Sequence, residues 1–208
     1  MVAGQIMRRG IHDPRLLEAM RTVPRHLFVP REQRSLSYED FPLHIGLGQT
    51  ISQPFIVALM TELLLLSGTE NVLEVGTGSG YQAALLSQLA ATVHTVEFHE
   101  ELALQARQTL ESVEIMNVFV PVGDGSLGWP EAAPSDAILV TAAAPRAPQP
   151  LLDQLAEGGR MVLPVGDRFM QDLQVWTRCE DEFKYRDNIP VAFVPLRGRY
   201  GWDEKDWA

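Results

Sequence analysis

Cysteine is almost absent from the 208 residues: Cys179 stands alone, which excludes an intrachain disulfide and a metal site built from several thiolates. As a lone thiol it is expected to be a packing residue. The five histidines, at 12, 26, 44, 94 and 99, show no ligand spacing such as H-x-x-x-H, so no metal is expected. No apolar run is long enough to span a bilayer; the richest, Ile56 to Leu66, is short and carries Glu62. The first residues lack the apolar segment of a signal peptide, so a cytoplasmic location is expected. Positive charge is scarce too: 17 Lys+Arg stand against 27 Asp+Glu, a formal net charge of -10. That surface repels phosphate backbones and anionic membranes, so neither nucleic acid nor membrane is expected as a partner. Internal repeats, low-complexity tracts and linkers are missing as well.

What is present is the balance of an ordinary globular protein, 46% hydrophobic and 21% charged, at a length that suits one domain. A monomer is expected. Asp13-Pro14 reads as a helix start, followed by Leu16, Leu17, Met20 and Val23 at helical spacing until Pro24. Pro42, Gly46 and Gly48 mark an irregular loop, and Gln49 to Pro54 a polar turn. The helix after Pro54 sets Ile56, Leu59, Met60, Leu63 and Leu64 on one stripe and ends near Gly68. Strands are then expected at 71–75, 93–97, 118–122, 137–141 and 160–165, with helices at 81–90, 100–112 and 150–156. That alternation predicts a parallel sheet with right-handed crossovers. Segments 173–178 and 183–194, joined by an acidic turn at 180–182, predict a final antiparallel pair. The tail from Arg199 frays or covers an edge, and Trp129, Trp176, Trp202 and Trp207 pack or cover surface.

The chain is organised around Val72-Leu-Glu-Val-Gly-Thr-Gly-Ser-Gly-Tyr81, a buried strand, a glycine turn and a helix start. Gly76, Gly78 and Gly80 permit a sharp turn and close ligand approach, and the helix amides favour an anionic group. The third glycine comes one residue too early for the dinucleotide fingerprint G-x-G-x-x-G. G-x-G-x-G after Glu74 instead resembles the motif of S-adenosylmethionine (SAM) methyltransferases, with the amides facing the methionine carboxylate. Glu97, at the end of the second strand and 21 residues after Gly76, suits the two ribose hydroxyls. Asp124, between Gly123 and Gly125, suits an exocyclic amine of a flat base; a plain Asp-Gly turn is the alternative. All three signals fall at carboxyl ends of successive strands, where open α/β sheets bind ligands. The fourth strand ends in Thr141-Ala-Ala-Ala-Pro145, which offers no general base.

Four stretches carry a more particular likeness: Gln49-Thr-Ile-Ser-Gln-Pro54, the glycine loop through Gln82, Gly123-Asp-Gly-Ser-Leu-Gly-Trp129 and Val140-Thr-Ala-Ala-Ala-Pro145. With them the chain resembles the protein-L-isoaspartate O-methyltransferase family from Arg21-Thr-Val-Pro-Arg-His-Leu-Phe-Val-Pro30 to Val194-Pro-Leu-Arg-Gly198. The resemblance implies a Rossmann-like α/β fold with a mostly parallel seven-stranded sheet, helices on both faces, an N-terminal helical extension and antiparallel C-terminal strands. It also implies a rearranged order of the last strands relative to the usual methyltransferase sheet. One domain would divide into an N-terminal cover and substrate turn (1–53), a SAM-binding core (54–170) and C-terminal strands with the tail (171–208).

The activity implied is repair. Methyl passes from SAM, leaving S-adenosylhomocysteine, to the carboxyl of isoaspartyl residues in aged proteins and peptides, and less well to D-aspartyl residues. The ester collapses to a succinimide, which hydrolyses partly to aspartate. Carried over by motif, Ser52 is the active-site serine. Glu74, Gly76, Thr77, Gly78, Ser79, Gly80, Glu97, Phe98, Asp124 and Gly125 line the SAM site, and Thr50, Ile51, Gln53, Val194 and Leu196 hold the peptide. A carboxylate, with a reference pKa of about 3.9, is already anionic at neutral pH and needs no base. Alignment then supplies the rate, an effect worth up to roughly 7–11 kcal/mol, with Ser52 orienting the carboxylate. Competing readings are a methyltransferase for a carboxylate in one partner peptide, a SAM-binding protein without catalysis and, more distantly, a nicotinamide oxidoreductase.

Overall fold

The computed structural model describes every residue except Asp181 and Ala208, so one residue of the acidic turn at 180–182 and the last of the tail lie outside the described residues. Seven strands form one sheet: β3 (Asn71–Val75), β4 (Thr92–Val96), β5 (Val118–Phe119), β6 (Ser135–Val140), β7 (Leu155–Gly166), β8 (Gln171–Cys179) and β9 (Glu182–Val191). Their order across the sheet is β5-β4-β3-β6-β7-β8-β9. The first five are parallel, and β8 and β9 are antiparallel to their neighbours. The mostly parallel sheet and its antiparallel C-terminal pair are as expected. From β6 onward the strands lie in chain order.

Burial on both faces explains the near-continuous apolar strands. Val72, Val93, Ala137, Leu139 and Val162 face one core, shared with Val2, Ile6, Ile11, Leu16, Leu17 and Met20 of the N-terminal extension. Leu73, Val75, Ile138, Val140, Met161 and Leu163 face the other, closed by Leu151 and Leu152 of α5 (Gln149–Asp153). Helix α1 (Pro14–Thr22) starts where expected, with Asp13 accepting a hydrogen bond from the Arg15 amide at 2.9 Å. The N-terminal fifty residues thus lie against the sheet, as they must, lacking a core of their own.

Departures from expectation have local causes. The loop before Gln49 is a hairpin, β1 (Leu43–Gly46) with β2 (Gln49–Ile51); its tip turns through positive φ at Gly46, Leu47 and Gly48. Helix α2 (Pro54–Leu63) stops short of Gly68 because Leu65 itself takes φ 52°. Its deeper face is Val57, Ala58, Met60 and Thr61, whereas Ile56, Leu59 and Leu63 are only partly buried. Helix α3 covers Tyr81–Leu86, shorter than 81–90. The ladder at β5 ends after Phe119, and Pro121, which has no amide to donate, still accepts from the Glu97 N–H at 3.1 Å. Strand β7 begins already at Leu155, cutting the preceding helix short. Cys179 ends β8 in solvent, not in the core. The correction follows from its place beside the β8–β9 turn, where no sheet face covers it. Trp176 stacks on Tyr185 at 4.6 Å and packs against the second core, and Trp202 pairs with Trp207 at 5.5 Å.

Glu74 is fully buried in β3, in register with Thr95 and Leu139. Neither carboxyl oxygen has a well-formed hydrogen bond among the described residues, and the Thr95 hydroxyl beside it lies 2.7 Å from Thr77 Oγ1. Desolvation therefore dominates, the nearby Thr95 hydroxyl offsets it only in part, Glu97 adds its charge, and the pKa rises to about 8. The folded state holds this proton more tightly than the unfolded chain. Its stabilisation is complete below the unfolded value, about 4.5, and is lost as pH rises through about 8. In denaturant titrations Glu74→Gln is expected to exceed the parent in stability at a pH of about 8.5. That margin should shrink towards a pH of about 5; a margin independent of pH would show the carboxyl to be ionised in the fold.

Candidate active site

The carboxyl ends of β3, β4 and β6 open into a cleft, the place where open α/β sheets hold small molecules. Its floor is Val75 to Ser79. One side is Val96 to His99, the other Thr141 and Ala142, and Gly125 closes the end. Gln49 to Ser52 of the β2 turn and Val194 to Arg197 form the outer wall.

Local chemistry fixes each part. Gly76 has φ +96°, and a Cβ there would lie 2.5 Å from Thr141 Oγ1. That hydroxyl donates to the Gly76 carbonyl at 2.6 Å, so only glycine fits between β3 and β6. Gly80 is buried against α4 (Glu100–Ser112), where an added Cβ would be 3.3 Å from Ala106 Cβ. Thr77 is tied to Thr95, and the amides of Thr77 and Ser79 donate to no atom among the described residues. Two free donors on the cleft floor suit an anionic group. Glu97, only 4% exposed, accepts from the Gly78 amide through Oε2 at 2.8 Å and from the His99 amide through Oε1 at 2.9 Å. Both oxygens keep acceptor capacity on the cleft side. Phe98 beside it is half exposed and lines the cleft.

The structure gathers Thr50, Ile51, Ser52, Gly76, Thr77, Gly78, Ser79, Glu97, Phe98, Gly125, Val194 and Leu196 around this one cleft. Glu74, Gly80, Asp124 and Gln53 stand outside it. Glu74 is in the core, Gly80 seats α3 on α4, and Gln53 Nε2 donates to the Asp40 carbonyl at 2.9 Å. The Ser52 hydroxyl is half-buried on the wall and bonds to nothing among the described residues.

Asp124 has a second task. Its Oδ1 accepts from the Ser126 amide at 2.9 Å and hydroxyl at 2.6 Å, and its Oδ2 from the Arg199 amide at 2.8 Å. Ser126 Oγ in turn accepts from the Tyr200 amide at 3.0 Å. The same segment is laced to the end of β6, where the Ala143 amide donates to Val194 and the Leu196 amide donates to Ala143, both at 2.8 Å. The alanines are small because strand ends crowd around them: Ala143 and Ala144 are fully buried, and the Ala144 amide donates to Pro164. Sequence reasoning missed Arg25, Ser126, Thr141 and Gly198 as parts of the site. Only the glycine after Val194-Pro-Leu-Arg hinted that a backbone had to come close there.

Comparison with known proteins accords with this geometry. The family model for "Protein-L-isoaspartate(D-aspartate) O-methyltransferase (PCMT)" matches residues 1–201. A protein-L-isoaspartate O-methyltransferase 1 of Syntrophobacter fumaroxidans is 55% identical over 98% of this chain and 95% of its own length. A protein-L-isoaspartate O-methyltransferase of the Methanoculleus marisnigri strain is 54% identical over 97% of this chain and 92% of its own. Among solved structures, a protein-L-isoaspartate O-methyltransferase superposes with a TM-score of 0.84 at 29% identity, covering 93% of this chain and 64% of that longer one. A Plasmodium falciparum protein described by the same activity, in complex with S-adenosyl-L-homocysteine, gives a TM-score of 0.81 at 25% identity over 92% of this chain and 94% of its own.

The C-terminal wall has a direct test. Gly198 has φ +115°, and a Cβ there would fall 1.9 Å from Asp124 Oδ1. Gly198→Ala is expected to release the segment and speed tryptic cleavage after Arg199 by about tenfold or more, with far-UV circular dichroism retained. Unchanged cleavage would show that the Asp124 contact does not hold this wall.

Proposed function

Because this chain belongs to the protein-L-isoaspartate(D-aspartate) O-methyltransferase family, we infer that it is a SAM-dependent repair enzyme that methylates the carboxyl of isoaspartyl residues in damaged proteins. The observation that carries the reading to individual residues is that Ser52, the glycine loop and Val194–Leu196 share one cleft. The cleft suits the donor: free Thr77 and Ser79 amides for its carboxylate, Glu97 for its ribose, Phe98 and Gly125 at the base end. When bound, SAM supplies a methyl group on a sulfonium centre. Thr50 and Ile51 on one side and Val194 and Leu196 on the other hold the peptide, and Gln53 braces the turn beneath it. Glu74 and Asp124 serve from behind the wall, Glu74 in the strand under the glycine loop and Asp124 by anchoring the C-terminal segment.

Ser52 is the catalytic residue of this reading. Its hydroxyl donates to one oxygen of the isoaspartyl carboxylate and aims the other at the methyl carbon. No side chain takes a proton, because the acceptor enters already ionised. Thr141, the hydroxyl nearest the triple alanine, is committed to the Gly76 carbonyl. D-Aspartyl residues are weaker substrates: seen from Cα their free carboxyl lies on the same side as in an L-isoaspartyl residue, but the methylene has moved from the chain branch to the free one, so the carboxylate sits one carbon further out. The formal charge of -10 turns away nucleic acids and anionic membranes, and no helix among the described residues is long and apolar enough to cross a membrane. A single-domain monomer working in the cytoplasm completes the proposal.

Radiolabelled methyl transfer to an isoaspartyl peptide and to its normal aspartyl twin tests the assignment. Label should enter the first alone, and equal labelling or none in either would overturn it. Ser52→Ala is expected to lower turnover by roughly 10- to 150-fold, the worth of one hydrogen bond to a charged group. S-adenosylhomocysteine affinity, measured calorimetrically, should stay within about threefold, since Ser52 touches only the acceptor. Loss of both together would contradict that division of roles.

A further inference from the structure

The stretch Val23-Pro-Arg-His-Leu-Phe-Val-Pro30 lies outside the cleft, yet it holds a fully buried arginine. Arg25 sits in a short 3-10 turn, Arg25–Phe28, with its side chain driven inward. Its Nε donates to the Ser37 carbonyl at 2.7 Å and its Nη2 to the Ser52 carbonyl at 2.7 Å. The guanidinium carbon lies 4.8 Å from the centre of the Tyr81 ring. Ser52 and Tyr81 both line the cleft, so the cation stands one layer behind the wall that meets the acceptor. Nη1 is buried with no partner among the described residues.

A buried cation is costly to retain for stability alone, since a well-packed apolar group of similar size often does as well. What a planar fork does that an apolar group cannot is fix two carbonyls of different segments in one geometry. Here those carbonyls belong to the N-terminal cover and to the residue whose hydroxyl is otherwise unbonded. The other side of the turn is held separately. Asp40 accepts from the Phe55 amide at 3.4 Å and from Gln53 through its carbonyl, and is itself paired with Arg9 at 3.0 Å. Asp40 thus secures the helix start and leaves the Ser52 peptide unit to Arg25.

We propose that Arg25 is a positioning residue for methyl transfer, its guanidinium fixing the Ser52 peptide unit so that the serine hydroxyl points at the acceptor carboxylate. The inference rests on the assignment of Ser52 made above. Lysine at this position keeps the charge but offers no planar fork, and cannot hold the Ser37 and Ser52 carbonyls together.

The experiment is a double-mutant cycle on the full chain with Arg25→Lys and Ser52→Ala, read with an isoaspartyl peptide as acceptor. Arg25→Lys is expected to lower kcat by roughly 10- to 100-fold, the scale of a displaced orienting group. KM for SAM and calorimetric affinity for S-adenosylhomocysteine should remain within about threefold. In the Ser52→Ala background the same lysine substitution should cost less than about threefold, because the group it positions is gone. Equal cost in both backgrounds, or none in the parent, would overturn the proposal while leaving Ser52 its role. A Ser52→Ala enzyme as active as the parent would remove the premise, and the inference with it. Should the lysine variant fail to fold, Arg25→Gln carries the same cycle. Loss of S-adenosylhomocysteine binding in both variants would show Arg25 to serve the fold and overturn the proposal.

Discussion

One close approach governs the site. The Thr141 hydroxyl reaches across from the end of β6 to the Gly76 carbonyl at 2.6 Å, where any Cβ on residue 76 would lie 2.5 Å from it. The chain leaving β3 must therefore turn at a left-handed glycine before α3 begins. This leaves the Thr77 and Ser79 amides with no partner among the described residues. Glu97, at the end of the neighbouring strand, is oriented by the Gly78 amide that the same turn presents. The cleft floor is in this sense a consequence of how two parallel strands end.

The outer wall of the cleft is built from segments distant in sequence. The β1–β2 hairpin lays Ile45 over the loop, 3.4 Å from where a Gly78 Cβ would stand. Segment 194–200 is fastened by its own backbone, to the backbone of Ala143, the carboxylate of Asp124 and the hydroxyl of Ser126. These contacts use none of the segment's own side chains. Ser52 lines the same cleft with a hydroxyl that bonds to nothing among the described residues.

Legibility in the sequence followed periodicity and local chemistry. Strands β3, β4 and β6, the glycine loop and the α1 start could be read because apolar runs, glycine spacing and an Asp-Pro cap act within a few residues. The hairpin at 43–51 could not, since its short strands carry His44 and Thr50 and its tip forces Leu47 into positive φ. Cys179 was misplaced because composition favours burial, whereas a strand end at a hairpin is open. Arg25 and the tail contact of Asp124 were hidden for a different reason. Their partners are carbonyls and amides 27 and 75 residues away, and no spacing rule reports a backbone partner. Asp124 shows the limit well: its place between two glycines was legible, and its bonds to Arg199 and Ser126 were not.

Placement without proton transfer is the claim on which the chemistry stands. It is tested most directly by the single-turnover rate of methyl transfer to an isoaspartyl peptide as a function of pH, with SAM saturating. The account requires a rate that is flat from about pH 5.5 to 7.5, above the carboxylate range and across the interval where a histidine base would titrate. A tenfold rise per pH unit within that interval would contradict it, because it would show that a group on the enzyme must first lose a proton.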